Sequence, residues 1–420
     1  MFLIKMFSLT TESLKSNQDK LNVVASLLIL GSMATSLSFK TEVFNIGLIL
    51  LAIGLSVWRP GFNIFKADNV VRIWTLALLV SAVIWIISIY TTFDSEISDY
   101  EKPLKYVACA LVALQLSKLN IPIKVVFIGA ILSVTLSTIY ALNHNYVRLE
   151  LQMNAGTAAY QLTILFGIIA SYLFFNHEKS SYLLIGIGWI GLGACLWLIF
   201  ETQTRGAWVV LICYLIIVSV LELWTLNTRQ RLYSGVMIVF LFLAAIAVMS
   251  QLTIIEKRFN ATMVDIENVQ NRDLSGSIGR RVALLQIGYS ALKKPSLFGT
   301  GENSLANLKG YINELENGDQ YKFLLSNLHF HNQYLDHFTK RGVLGFVAYM
   351  LFLFGPLFLT RREALPYVAA VAFPLIVGGF IETPFNNSNF ITSYILYMTF
   401  VIVAQNNRLN ISSNLRRGTQ

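Results

Sequence analysis

The chain has 420 residues, 55% of them hydrophobic and 13% charged, with a mean hydropathy of +0.59. A soluble domain carries about 25% charged residues, so the ordinary water-soluble classes are excluded. The formal net charge is +9, from 32 Lys and Arg against 23 Asp and Glu; no nucleic-acid-binding motif accompanies it, and cations held on cytoplasmic loops account for the excess.

Long uncharged apolar runs predict twelve transmembrane helices, near 21 to 39, 43 to 58, 73 to 92, 104 to 117, 123 to 143, 155 to 175, 181 to 200, 206 to 221, 232 to 255, 342 to 360, 364 to 381 and 390 to 405. The fourth is the weakest, because Lys105 and Lys118 bracket it and both must snorkel for it to span. No cleavable signal peptide is expected, since the first run begins near Leu21 and is followed by further spans. Cys109, Cys195 and Cys213 all fall inside apolar runs and read as buried small side chains, neither a disulfide framework nor a thiolate metal site.

Charge on the short loops sets the orientation. In the second half, Lys118, Lys124, Lys179, Arg229, Arg231, Arg361, Arg362, Arg408, Arg416 and Arg417 fall on one side, against Arg148 and Arg205 on the other. In the first half, Lys5, Lys15, Lys20, Arg59, Lys66 and Arg72 face Lys40, Lys102 and Lys105. Both halves predict cytoplasmic termini. The expected fold class is therefore all-α: a polytopic integral membrane protein with about 12 transmembrane helices and one large, partly helical periplasmic loop. Its expected divisions are residues 1–255 for spans one to nine, 256–341 for the loop carrying catalytic elements, 342–405 for spans ten to twelve, and 406–420 for a cytoplasmic tail. A connection as long as 256–341 is usually a functional element. No ionisable residue falls near mid-depth in any expected span, which speaks against an ion-coupled transporter.

The polar chemistry is confined to the outer face. Arg205, in Thr202-Gln203-Thr204-Arg205-Gly206, starts the eighth span beside a glycine that opens the backbone to a ligand. Arg280 and Arg281 follow a Gly/Ser-rich stretch and open an amphipathic helix expected over Arg281 to Lys294, which Pro295, Gly299 and Gly301 end. Free backbone amides, a helix N-terminus and guanidinium groups make a phosphate site. His329, His331 and His337 cluster at the end of the loop. Their spacing matches no zinc signature, so a base that titrates near neutrality is the preferred reading and no metal is expected. Glu382, in Ile381-Glu382-Thr383-Pro384, completes the set.

His331-Asn332-Gln333-Tyr334-Leu335, followed by Arg341-Gly342-Val343-Leu344-Gly345, resembles the H-N-x-x-L…G-x-x-G signature of the bacterial O-antigen ligase and polymerase superfamily. Thr202 to Trp208 resembles its [S/T]-x-[S/T]-R-G-x-W element, and Gly279-Arg280-Arg281 through Pro295 to Gly301 its R…P…G-x-G segment. The likeness covers roughly residues 155 to 345, and Ala155 to Tyr160 favours the enterobacterial ligase subgroup.

That resemblance implies transfer of O-antigen polysaccharide from undecaprenyl diphosphate to the lipid A-core oligosaccharide at the periplasmic face of the inner membrane. It implies His331 as the catalytic base and Arg205 and Arg281 as the diphosphate-binding residues. Arg280, His329, Asn332, Glu382 and Gln203 are supporting candidates. The expected reaction is a single inverting displacement that needs no cofactor, with lipid-linked donor, lipid A-core and membrane lipids as partners and no nucleic acid. Two alternatives stay open. A polymerase of the same superfamily shares much of the signature, and a lipid-linked glycan flippase or exporter would need the cationic groove but no positioned base.

Overall fold

The computed structural model describes residues 17–37, 42–58, 67–90, 97–144, 148–151, 153–176, 180–225, 253–293, 295–301, 304–313, 321, 324 and 330–417. Within these the chain is helical throughout: α1 (Asn17–Thr35), α2 (Glu42–Trp58), α3 (Asn69–Tyr90), α4 (Glu101–Leu116), α5 (Ile123–Asn143), α6 (Ala155–Phe175), α7 (Tyr182–Glu201), α8 (Arg205–Thr225), α9 (Thr253–Gln270), α10 (Ser277–Leu292), α11 (Ser304–Asn313), α12 (Gln333–Leu359), α13 (Leu365–Gly378) and α14 (Ser388–Arg417). No strand occurs among the described residues.

Six of these helices are long and apolar enough to cross a bilayer, namely α3, α5, α6, α7, α12 and the Ser388–Asn406 part of α14. Glu42–Val57, Arg205–Ile217 and Leu365–Gly378 are shorter apolar helices. The expected first and fourth spans correspond to α1 and to the short α4, and the ninth, 232 to 255, lies largely outside the described residues. A sequence such as Tyr182-Leu-Leu-Ile-Gly-Ile-Gly-Trp is apolar around its whole circumference, the pattern of a helix buried in protein or lipid. Val43, Leu50 and Val57 on α2 and Leu183 and Ile190 on α7 are all more than 60% exposed. An outer surface of this kind belongs against hydrocarbon, and the chain is a polytopic membrane protein.

The helices α6 and α14 lie at the centre, each with 89% of its apolar window buried, whereas α3 and α7 bury 39% and 33% of theirs and sit at the periphery. Polar side chains tie the bundle together where no water competes. Trp74 Nε1 donates to Thr399 Oγ1 at 2.9 Å, Gln161 Nε2 donates to the Tyr397 hydroxyl at 3.0 Å, and that hydroxyl also pairs with Ser36. Cys109 and Cys195 are buried and all three cysteines are free.

Beyond the bundle, a second small apolar core joins α10 (Ala283, Leu284, Ile287) to Ile312 of α11 and to Tyr321, Leu324 and Phe330. This partly helical element is joined to the bundle by a main-chain lock as well as by side chains. Helix α12 is broken at Gly342, where φ is 66° and ψ is −162°. The segment Ser296–Gly301 lies in the break and supplies the bonds the helix loses there. Val343 N donates to Ser296 O (3.0 Å) and Leu344 N to Leu297 O (3.2 Å), while Thr300 N donates to Thr339 O (3.0 Å) and Gly301 N to Lys340 O (2.9 Å). Gly299, at φ 78°, lies so close that an added methyl would overlap the Lys340 carbonyl and the Arg341 amide. The P…G-x-G and R-G-x-x-G motifs are thus two halves of one backbone joint.

Candidate active site

The Thr202–Gly206 turn links α7 to α8 and is held from outside its own sequence. Arg148 Nε donates to the Thr202 carbonyl at 2.7 Å and Arg148 Nη2 to Thr204 Oγ1 at 2.9 Å, while Leu149 N donates to the Glu201 carbonyl at 3.1 Å. Gln203 is forced to φ 51°, a region that non-glycine residues seldom adopt. Arg205 then opens α8, and its guanidinium reaches α9, donating to Thr262 Oγ1 at 2.6 Å and pairing with Asp265 Oδ2 at 3.3 Å. The glycine after it serves packing as well as approach: a methyl at Gly206 would sit 2.7 Å from the Tyr160 hydroxyl and 2.9 Å from Ile381. The turn therefore abuts the segment that carries Glu382.

The two adjacent arginines separate. Helix α10 starts at Ser277, earlier than the expected Arg281, so both fall past its first three residues instead of at its N-terminus. Arg280 is exposed and its Nε donates to the Ser275 carbonyl at 3.0 Å. Arg281 faces the bundle, with Nη2 3.7 Å from Glu382 Oε2.

His331 precedes α12 at φ 50°, a conformation that costs of order 1–3 kcal/mol and that surrounding contacts must hold. Those contacts are visible. Asn332 caps α12, its Oδ1 accepting from Tyr334 N (3.1 Å) and Leu335 N (3.0 Å), and Gln333 Oε1 accepts from Phe385 N at 2.9 Å. Gln333 N donates to the Gly379 carbonyl at 2.7 Å, binding the start of α12 to the end of α13. The imidazole Nδ1 lies 2.7 Å from Glu382 Oε1.

Glu382 is therefore the common partner of His331 and Arg281. Burial alone would push its carboxyl up, but the His331 hydrogen bond and charge, Arg281 and the Thr383 amide together hold it below the ordinary carboxylate value of 4.5. It is ionised at neutral pH. The N-terminal turn of α6 adds to this field, with Gly156 placed so that a methyl on it would be 3.8 Å from Glu382 Oε2. On the other flank, a methyl at Gly276 would be 2.5 Å from Asp265 Oδ1, so the Gly/Ser stretch before α10 rests on the partner of Arg205. Contacts thus run from Arg205 through Asp265 to the start of α10, and from Arg281 through Glu382 to His331. Ile381 and Gly206 bring the two ends of this series together.

Sequence reasoning missed Asp265, Thr262 and Arg148, which carry no motif and lie remote from the residues they position, and read Tyr160 only as the end of the Ala155 to Tyr160 element. It also left Asp336, His337, Lys340 and Arg341 in the loop, whereas all four are buried within α12. Lys340 Nζ donates to Asp336 Oδ2 at 3.0 Å, Arg341 Nη1 donates to His337 Nδ1 at 2.9 Å, and the Arg341 guanidinium stacks 3.7 Å from the centre of the Trp85 ring. His337 stacks on Tyr349 and takes its place among aromatic rings, apart from Glu382. His329 lies outside the described residues. Among the described residues no three His, Cys, Asp or Glu side chains converge as metal ligands.

A family model described as O-antigen ligase matches residues 190–350. Over this stretch the chain is similar to the O-antigen ligase family. The matched segment includes the Thr202–Gly206 turn, α10 with Arg281 and the start of α12 with His331, while Glu382 lies beyond it. The O-antigen ligase of Escherichia coli (strain K12) is 24% identical over 217 residues, covering 51% of this chain and 50% of that protein. An uncharacterized protein of Haemophilus influenzae (strain ATCC 51907 / DSM 11121 / KW20 / Rd) is 24% identical over 209 residues, or 50% and 51%. The chain spans about half the length of these curated relatives.

Proposed function

We propose that this chain transfers O-antigen polysaccharide from undecaprenyl diphosphate to the lipid A-core oligosaccharide, in an inverting reaction without a cofactor. The observation that carries the reading is the Glu382 carboxylate shared by His331 and Arg281, next to the turn that bears Arg205. With Glu382 ionised, His331 Nδ1–H donates to it, and the base form of the ring carries its lone pair on Nε2. That nitrogen takes the proton of an acceptor sugar hydroxyl as its oxygen forms a bond to the anomeric carbon. The bond from the anomeric carbon to the phosphate oxygen breaks, and its electron pair leaves on the lipid diphosphate. Base catalysis of this kind supplies about 10² to 10⁴-fold. Arg205 and Arg281 stabilise the departing charge. In the structure both are paired with carboxylates across 3.3 and 3.7 Å at partly exposed positions, where such pairs are weak and a diphosphate can take over the guanidinium groups.

The site lies at the periplasmic face of the inner membrane in this reading, with both termini cytoplasmic. A phosphatase fused after Gln420 is expected to be inactive, and an active fusion refutes that orientation. The decisive experiment for the activity is reconstitution. Purified protein given lipid-linked donor and lipid A-core in detergent is expected to form ligated product, and a His331→Ala protein of equal abundance to form none. Product formation by that variant would remove His331 as the base, and absence of product from the intact protein would favour an exporter. Product in which repeat units lengthen on the lipid carrier would instead mark a polymerase.

A further inference from the structure

At the end of the bundle remote from His331, a cleft of about 140 Å³ opens between the start of α3, the turn from α12 to α13, and α14. Helix α12 runs from Gln333, beside the candidate active site, to Leu359 in the cleft lining, so the two lie at opposite ends of this element. Its floor is apolar, with Val368 and Ile402 buried, and its polar lining is Asp68, Asn69, Thr360, Arg361, Gln405 and Asn406. Gln405 is 2% exposed, and neither its amide oxygen nor its amide nitrogen has a hydrogen-bond partner. A buried amide left in that state is destabilising, and it lines a cleft with room for a hydrogen-bonding partner.

We propose that this cleft binds the phosphoethanolamine headgroup of a membrane lipid. The lining offers one carboxylate and one guanidinium rather than a single sign of charge, which fits a zwitterion better than an anion or a cation. The ammonium of the headgroup donates to Asp68 and to the Gln405 carbonyl oxygen. The phosphate accepts from Arg361 and from the Gln405 NH₂. Phe358, next in sequence to Leu359 of the cleft lining and 82% exposed, offers an apolar surface to the acyl chains. The lipid source follows from position, because the cleft sits at the ends of helices whose outer surfaces face hydrocarbon. The site is independent of the transfer reaction.

The test measures lipid retained by the full-length protein in mild detergent after exposure to vesicles of equal parts phosphatidylethanolamine, phosphatidylcholine and phosphatidylglycerol. Phosphatidylcholine carries a quaternary ammonium with no N–H to donate, and phosphatidylglycerol carries none. Phosphatidylethanolamine is expected to be retained about tenfold over both, one charge-assisted hydrogen bond's worth. Gln405→Leu should abolish that preference and Asp68→Asn should equalise the first two lipids. Arg361→Ala, at an exposed position where folding is not at stake, should release all three. Equal retention by the unaltered protein, or an unchanged preference in the Arg361 variant, overturns the proposal. Displacement by soluble glycerophosphoethanolamine at the same concentration as lipid overturns the assignment to a membrane lipid.

Discussion

A carboxylate bonded to a histidine does two things that a neutral amide cannot: it fixes which ring nitrogen holds the proton, and it stabilises the imidazolium as it forms. Glu382→Gln is therefore expected to lower turnover more than it raises the donor KM, a split visible in steady-state assays of purified protein. The carboxyl of Glu382 is held below its ordinary value of 4.5, so its contribution to stability is complete above that value and is lost as pH falls through the lowered one. Melting curves of the intact and Glu382→Gln proteins should differ near neutrality and converge in acid; a constant gap at every pH refutes the linkage. Arg205→Lys is expected to reduce transfer by about 10² to 10³-fold, because an ammonium cannot reproduce the two-pronged geometry of a guanidinium, and near-normal product ladders would remove Arg205 from the diphosphate site. Arg205, Arg281, His331 and Glu382 were legible in the sequence because each stands in a short run with unusual neighbours. Asp265 was not, since an acid in a helix such as Met263-Val-Asp-Ile-Glu267 reads as a solvated side chain until the fold sets Arg205 against it.

The left-handed backbone at Gly342 concerns whole elements. Substituting Gly342→Ala imposes positive-φ strain of about 1–3 kcal/mol and thrusts a methyl into the Gly299 amide and the carbonyls of Ser296 and Leu297. The expected outcome is a melting temperature lower by several degrees in detergent and earlier proteolysis of the 253–301 region, with the apolar bundle still inserted; an unchanged melting curve would show that the joint has slack. Gly342 and the Pro295–Gly301 run could be read from sequence as helix breakers, yet nothing in either run says that they break against each other. The start of α12 was hidden for a different reason. Asp336, Lys340 and Arg341 look like loop residues, and only their pairing at i and i+4 and the stack on Trp85 let them lie buried in a helix.

Across the whole molecule, the polytopic all-helical character could be read at once, because hydrocarbon demands long apolar runs whose backbone is satisfied internally. Which spans lie at the centre could not. Helices α6 and α7 both read as long apolar spans, but one is 89% buried by its neighbours and the other 33%, and that difference depends on partners far along the chain. The four main-chain bonds at Gly342 carry a mechanical meaning at this scale. They weld the helix bearing Arg281 to the span that follows His331, so these two side chains travel as a unit, whereas Arg205 is moored to α9 by side chains alone. Any breathing of the candidate site therefore belongs on the Arg205 flank.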